Sequence, residues 1–131
     1  MKSLFKLWHK EVKCWIECNP CIFQNGQIGR WNSNVPFDFF KSEDIEIVRN
    51  SGIKDVRGKE IYEGDIVEFY NNVDYILKPG KAKVIFELGA FQLENKKYGK
   101  DYLGNMEIEE MCIRVIWNIY ENPDLFKSEV E

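Results

Sequence analysis

The chain has 131 residues, about the length of one domain, which excludes a complete multidomain enzyme or a large α/β barrel. Ile and Val together number 23 and aromatic residues 19, against two Ala and no Thr, and this composition favours strands over helices. The net charge of -4 disfavours wholesale binding to nucleic acid or anionic membranes, which depends on a basic surface.

The first half of the chain is typical of short strands joined by turns. Asn25-Gly26 stands between two of these segments and predicts a hairpin in which both turn residues have positive φ. We expect residues 32–41 to be irregular, and a helix starting at Ser42 is the alternative to the strand that follows. The strands predicted here span residues 4–9, 13–17, 21–24, 27–31 and 45–49.

The second half follows a polar connection at residues 52–59. Gly64 and Asp65 predict a tight turn, and Lys78-Pro79-Gly80-Lys81 predicts a type II turn, because each has turn-forming residues in suitable positions. Residues 95–105 are predicted to form a mobile loop. The strands predicted here span residues 66–70, 82–86, 91–94 and 113–120.

The C-terminal part contains the most apolar of these segments. Residues 113–120 are apolar on both alternating faces, so we expect a central strand that is buried on both sides. Asn122 and Pro123 then predict the N-cap and first position of a short helix that packs Leu125 and Phe126.

A cysteine cluster near the N-terminus has the spacing Cys-x3-Cys-x2-Cys. Three thiolates of this kind are typical of some iron-sulfur sites, and a nearby histidine could complete a zinc site. The length of the chain argues against an iron-sulfur enzyme, which would need a large α/β barrel. Against zinc, Cys14 lies on a predicted strand beside apolar residues, where a lone cysteine usually packs as a small buried hydrophobe. We expect no metal here and keep zinc as the alternative. The four residues are His9, Cys14, Cys18 and Cys21.

No catalytic constellation is evident from the residues. His9 is the single histidine, no Gly-x-Ser-x-Gly motif surrounds a serine, and no phosphate-binding glycine motif occurs. Paired carboxylates occur, but acidic loop residues are usually solvated. We therefore expect a protein that is not an enzyme and has no cofactor. The acid pairs are Glu63 with Asp65, Glu109 with Glu110, and Glu121 with Asp124.

Two features suggest binding. Cations and aromatic rings alternate in the predicted loop 95–105, as in surfaces that contact a nucleic-acid backbone and stack on its bases. The 19 aromatic residues also exceed what a small core can hide, so we expect some to form a subunit-facing patch. The possible nucleic-acid contacts are Lys96, Lys97, Tyr98, Lys100 and Tyr102.

Two blocks in the second half are distinctive: Ile-Tyr-Glu-Gly-Asp-Ile-Val at 61–67 and Asn-Ile-Tyr-Glu-Asn-Pro at 118–123. With Gly-Ala-Phe at 89–91 and Phe-Lys-Leu-Trp at 5–8, they resemble the YopX family of phage and prophage proteins. The chain departs from the family pattern at Ser51, where Thr is usual, and at Trp117, where Gly is usual. The clustered cysteines are also outside that pattern.

The resemblance implies one domain over 1–131, a mainly β SH3-like barrel with an N-terminal β-hairpin region and a short C-terminal helix. Its subregions would be 1–50 and 51–131. The resemblance implies no catalytic residues. It assigns turn, cap and packing roles to the structural motif residues Gly64, Asp65, Ile66, Val67, Gly89, Phe91, Asn122 and Pro123. It leaves a possible interaction surface at Tyr62, Glu63, Tyr120 and Glu121.

The sequence thus predicts a nonenzymatic phage or prophage accessory protein that self-associates and binds a host or phage protein. We expect it in the cytoplasm of the bacterial host, with no membrane segment, because no apolar run approaches the length of a span. The alternative is a nucleic-acid-associated protein of the phage early replication and recombination programme.

Overall fold

The computed structural model describes residues 3–17, 19–31, 38–73, 76–97 and 99–125, of which 71–73 and 76–79 are described by their backbone alone. Within these residues the chain is mainly β, which confirms the predicted fold class. The chain divides into two compact units, 1–49 and 50–131.

The first unit is built from short antiparallel strands. β1 pairs with β2 and β6, and β4 pairs with β3 and β5. One face of each sheet contributes to a small core of Leu7, Ile16, Ile28 and Ile45, all buried. The strands are β1 (Phe5–His9), β2 (Cys14–Trp15), β3 (Pro20–Ile22), β4 (Ile28–Arg30), β5 (Asp38–Phe40) and the first half of β6 (Ile45–Lys54).

The hairpin predicted at Asn25-Gly26 joins β3 to β4 and is confirmed, but its turn differs from the prediction. Of the two residues only Gly26 has a positive φ, of 88°. Its N–H donates to Phe23 O at 2.8 Å, and Phe23 N–H donates to Gln27 O at 2.8 Å. This is a type I turn followed by a glycine bulge, in which Gly26 is the residue that must adopt a left-handed backbone conformation.

Two other predictions in this unit need correction. β5 lies inside the segment 32–41 that was predicted to be irregular; residues 32–37 are outside the described part of the chain. The helix considered at Ser42 is a single 3-10 turn, Ser42–Asp44, after which the predicted strand begins at Ile45. The acidic residues of this turn have no apolar stripe behind them to continue a helix.

The second unit is dominated by one antiparallel sheet of order β11-β10-β9-β8-β12, which curls into a half-barrel. Its concave face buries the larger core, which includes Ile61, Val67, Val84, Leu103 and Ile113. The SH3-like form of the barrel remains a prediction. The strands are the second half of β6, β7 (Glu60–Tyr62), β8 (Asp65–Val73), β9 (Ile76–Glu87), β10 (Ala90–Asn95), β11 (Gly99–Tyr102) and β12 (Arg114–Asn118).

Two predicted turns are confirmed in this sheet. Gly64 has φ of 85° between β7 and β8, and the buried Asp65 accepts a hydrogen bond from Tyr62 N–H at 2.8 Å. Between β9 and β10, Leu88 and Gly89 have φ of 54° and 78°. Positive φ at both residues of a two-residue hairpin loop is the type I′ geometry that matches the strand twist.

The type II turn predicted at Lys78–Lys81 is wrong, because these residues lie inside β9. Pro79 pairs with Tyr70 and Gly80 with Phe69. β10 pairs with β9 only over 83–87, so among the described strands Pro79 has a neighbour on one side only. A proline without an N–H is tolerated on such an edge.

The predicted mobile loop 95–105 is also largely ordered as β11 and a 3-10 turn, Leu103–Asn105, whose Leu103 is buried. The segment 113–120, predicted as a central strand, supplies β12 at an edge of the described sheet. Its other side is covered by a loop at Asp55–Arg57 rather than by a strand. Asp55 Oδ2 accepts from Val115 N–H at 3.0 Å, and Arg57 Nη2 donates to Val115 O at 2.7 Å.

The C-terminal helix begins at Pro123, as predicted. Leu125 is 44% exposed, so the packing expected for it is not observed, and Phe126 lies outside the described residues. Within the described residues, no helix is long and apolar enough to cross a membrane.

Candidate functional site

The second unit contains an open cavity of about 340 Å³ between the concave face of the sheet and the segment 105–111. Its floor is formed by the apolar side chains of Phe69, Ala82 and Leu93, which are 5%, 1% and 6% exposed. Strand alternation explains this floor, since each of these residues lies on a strand whose successive side chains point to opposite faces of the sheet. The lining residues are Phe69, Ala82, Leu93, Asn95, Gly99, Asp101, Asn105, Met106, Glu107 and Met111.

The rim of the cavity is polar. Asp101, Asn105 and Glu107 are exposed and come from β11 and from the turn after it. Asp101 Oδ1 accepts from Tyr102 N–H at 2.7 Å and from Asn105 Nδ2 at 3.4 Å. These contacts hold Asp101 through Oδ1 at the mouth of the cavity.

Asn95 is the most firmly held polar group of the lining. Its Nδ2 donates to Lys81 O at 2.6 Å, and its Oδ1 accepts from Lys97 N–H at 2.7 Å. The amide therefore connects the turn between β10 and β11 to β9. The lining contains no serine, cysteine, histidine or lysine, and its ionisable side chains are the carboxylates of Asp101 and Glu107.

The residues predicted to contact nucleic acid lie partly on a strand rather than in one loop. Lys100 lies on β11, and its Nζ is 3.0 Å from Glu87 Oε2 and 3.7 Å from Glu94 Oε2. The hydrogen bond and charge of Glu87, followed by the charge of Glu94, raise the pKa of Lys100. Lys96, Lys97 and Tyr102 are exposed, and Tyr98 lies outside the described residues.

The possible interaction surface is partly structural. Tyr62 is 7% exposed, and its hydroxyl donates to Glu60 Oε2 at 3.2 Å. The ring of Tyr120 lies against Gly64, where a Cβ would be 2.6 Å from the ring. Tyr120 therefore packs on the β7–β8 turn and Tyr62 is held within β7, while Glu63 is half-buried and Glu121 is exposed.

The structural motif residues occupy turns and the core. Ile66 and Val67 are fully buried, and Phe91 makes an edge-to-face contact with Phe86 at a centroid distance of 4.9 Å. Asn122 precedes the terminal helix, and its Oδ1 accepts from Asn118 N–H at 3.4 Å. Ile66, Val67 and Phe91 therefore contribute to the packing of the second unit.

The N-terminal cysteines are not gathered into a metal site within the described residues. His9 Nδ1 accepts from Val12 N–H at 3.2 Å, and Cys21 Sγ donates to Gly29 O at 3.5 Å. Cys14 is exposed, which corrects the expectation that it is buried. Cys18 lies outside the described residues.

A family model described as YopX protein matches residues 4–127, nearly the whole chain. The chain belongs to the YopX family. This confirms the resemblance drawn from the two sequence blocks.

Solved structures support the fold. The chain is similar to protein YopX from Bacillus subtilis, with 25% identity, a TM-score of 0.66, and coverage of 95% of this chain and 98% of that one. It also resembles a protein of known structure from Enterococcus faecalis, at 20% identity and a TM-score of 0.61, over 93% of this chain and 96% of that one. No curated protein matches the chain significantly.

Sequence reasoning missed the cavity of this YopX-family chain. Asp101 was predicted to lie in a mobile loop, and Asn105 and Glu107 received no role. The available signal was the alternation Gly99-Lys100-Asp101-Tyr102, which places Gly99 and Asp101 on one face if the segment is a strand. That signal depends on pairing with β10, which the local sequence does not reveal.

Proposed function

We propose that the chain is a nonenzymatic accessory protein of a phage or prophage that binds a partner protein in the host cytoplasm. The observation that supports this proposal is the open cavity, with its apolar floor and polar rim. Ligand sites are generally concave and mostly apolar with a few placed polar groups, and this cavity is at the small end of their size range. A single side chain of a partner suits it better than a whole nucleotide.

The chemistry of the lining favours binding over catalysis. Its two carboxylates, Asp101 and Glu107, are both exposed at the rim. Catalytic carboxylates are typically buried or have a close charged partner. Among the described residues, neither Asp101 nor Glu107 is buried or forms an ion pair.

Affinity capture from lysate of infected host cells tests the proposal, with nuclease treatment to remove nucleic acid bridges. Asn105→Trp places an indole at the cavity mouth, and Glu110→Trp is the matched control, at an exposed position in the next turn along the chain and outside the lining. We expect the wild type and Glu110→Trp to capture the same protein and Asn105→Trp to lose it. Equal capture by the wild type and both variants, or turnover of a substrate by the purified protein, would contradict the proposal.

Self-association is part of the same proposal. Large apolar side chains are exposed in the first unit, among them Trp31 at 49% and Phe39 at 53%. Exposed apolar side chains of this size often mark contact surfaces. Sedimentation equilibrium of the purified protein tests this part: we expect a dimer or higher oligomer, and a monomer over the whole concentration range would exclude it.

Nucleic-acid association is the second candidate, because Lys96, Lys97 and Tyr102 are exposed close together in the chain. The ion pairs of Lys100 with Glu87 and Glu94 reduce the positive charge of this region. Binding to single- and double-stranded DNA and RNA at low ionic strength tests it. Salt-sensitive binding that Lys97→Glu weakens would support this candidate, and no binding at low salt would eliminate it.

A further inference from the structure

The cavity changes in polarity from floor to mouth. Phe69, Ala82 and Leu93 at the floor are nearly inaccessible to solvent, whereas Asp101 and Glu107 at the rim are exposed. A ligand that fills the cavity must therefore combine an apolar stem with a polar head. Long cationic side chains have this form, because they bury their methylene stem and keep the charged end in water.

The rim also lacks positive charge. No lysine or arginine is among the lining residues, and neither Asp101 nor Glu107 forms an ion pair within the described chain. Lys100 is next to Asp101 but points to the opposite face of β11, where it pairs with Glu87.

On the other face of the same sheet, three carboxylates are paired with cations. Glu68 pairs with Arg114, Glu87 with Lys100, and Glu94 with Lys83 and Lys100. These carboxylates on that face have cationic partners, whereas those at the cavity rim have none among the described residues. The unmatched charge at the rim is therefore complementary to a cation from another molecule.

We propose that the cavity binds a lysine or arginine side chain of a partner protein, an inference that rests on the proposed interaction function. The methylene stem packs on Phe69, Ala82 and Leu93, and the cationic head reaches Asp101 and Glu107. A purely apolar side chain would partly desolvate the two carboxylates without pairing them. An acidic side chain would be repelled.

Blocked amino acids test the ligand class directly: N-acetyl-lysine methylamide and N-acetyl-arginine methylamide, with the norleucine and glutamate equivalents as neutral and acidic controls. Binding is followed by NMR shifts of the Gly99 amide and the Asn105 side-chain amide, which line the cavity. Ligands of about 14 non-hydrogen atoms reach roughly millimolar Kd at ordinary ligand efficiency. We expect the two cations to bind about fivefold more tightly than norleucine, and glutamate not to bind.

Charge variants identify the groups responsible. Asp101→Asn and Glu107→Gln should each weaken binding of the cationic probes by about twofold, as expected for exposed ion pairs. Glu110→Gln, outside the lining, should leave it unchanged, and added salt should reduce the preference for cations. Norleucine binding equal to lysine, or insensitivity to both rim variants, would overturn the cationic assignment.

These outcomes are separable from failure of the proposed function. If norleucine binds as tightly as lysine while Asn105→Trp still loses the captured protein, the cavity is an interaction site for an apolar group. If the cationic probes bind as expected but Asn105→Trp retains the captured protein, the ligand class stands and the function proposed for the cavity fails.

Discussion

The carboxylate of Asp55 protects the outer edge of β12, so its removal should destabilise the second unit. Asp55 is 4% exposed and accepts three backbone hydrogen bonds, from Arg57 and Lys59 at 2.9 Å each and from Val115 at 3.0 Å. Val56 N–H also donates to Ile113 O at 2.9 Å in the same loop. The loop thus replaces the neighbouring strand that β12 does not have among the described residues.

The expected magnitude for Asp55→Ala follows from these contacts. Val115 is 4% exposed, so its N–H would remain buried without an acceptor, at a cost of about 1–3 kcal/mol. The N–H groups of Arg57 and Lys59 lie in an exposed loop, where water replaces the carboxylate and the loss is about 1 kcal/mol together. The free energy of unfolding should therefore fall by about 2–4 kcal/mol, a large part of the roughly 5–15 kcal/mol typical of a domain.

Urea unfolding followed by tryptophan fluorescence measures this change. We expect the midpoint to fall by about 1–2 M with the slope unchanged. Asp55→Asn keeps one acceptor oxygen but places its own N–H group against a backbone N–H. We therefore expect it to restore less than half of the stability that Asp55→Ala loses. Glu109→Ala removes an exposed carboxylate and is the control, with a change within about 0.5 kcal/mol. A similarly small change for Asp55→Ala would refute the role assigned to this carboxylate.

Three further predictions concern the same sheet. Leu88 is 94% exposed with φ of 54°, so Leu88→Gly should raise the free energy of unfolding by about 0.5–1 kcal/mol, measured by urea unfolding. Gly80→Ala would bring a Cβ within 2.6 Å of the ring of its cross-strand neighbour and should cost about 1–3 kcal/mol, whereas Gly104→Ala, with open space around it, should be tolerated. The pKa of Lys100 is raised above its ordinary 10.5, so folding favours its charged form. The difference in stability between the wild type and Lys100→Gln should therefore be constant at neutral pH and disappear well above pH 10.5. Thermal unfolding of both proteins across this pH range measures it.

The elements that the sequence predicted correctly are those determined by local chemistry. The turn at Gly64 and the hairpin at Gly26 need a residue that tolerates positive φ, and glycine supplies it in both. Alternating apolar residues then place β8 and β12 on the core.

The predictions that failed depended on long-range contacts. Pro79-Gly80 has the composition of a turn, but the ring of Phe69 covers Gly80 from the paired strand and the segment stays extended. The segment of β12 is apolar on both faces, which suggested a central strand. The strand instead lies at an edge, which is covered by the loop at Asp55, sixty residues earlier in the chain than Val115.

The cavity has the same nonlocal origin. The segment from Leu103 to Ile113 lies against the concave face of the sheet, and its two ends are fully buried. Between them Met106, Ile108 and Met111 are only partly buried, so the middle of this segment does not seal the core. Two of these three side chains are unbranched methionines, which adjust their shape to what they contact. A lining of this kind suits a flexible stem such as that of lysine or arginine, while the rim carboxylates select its charge.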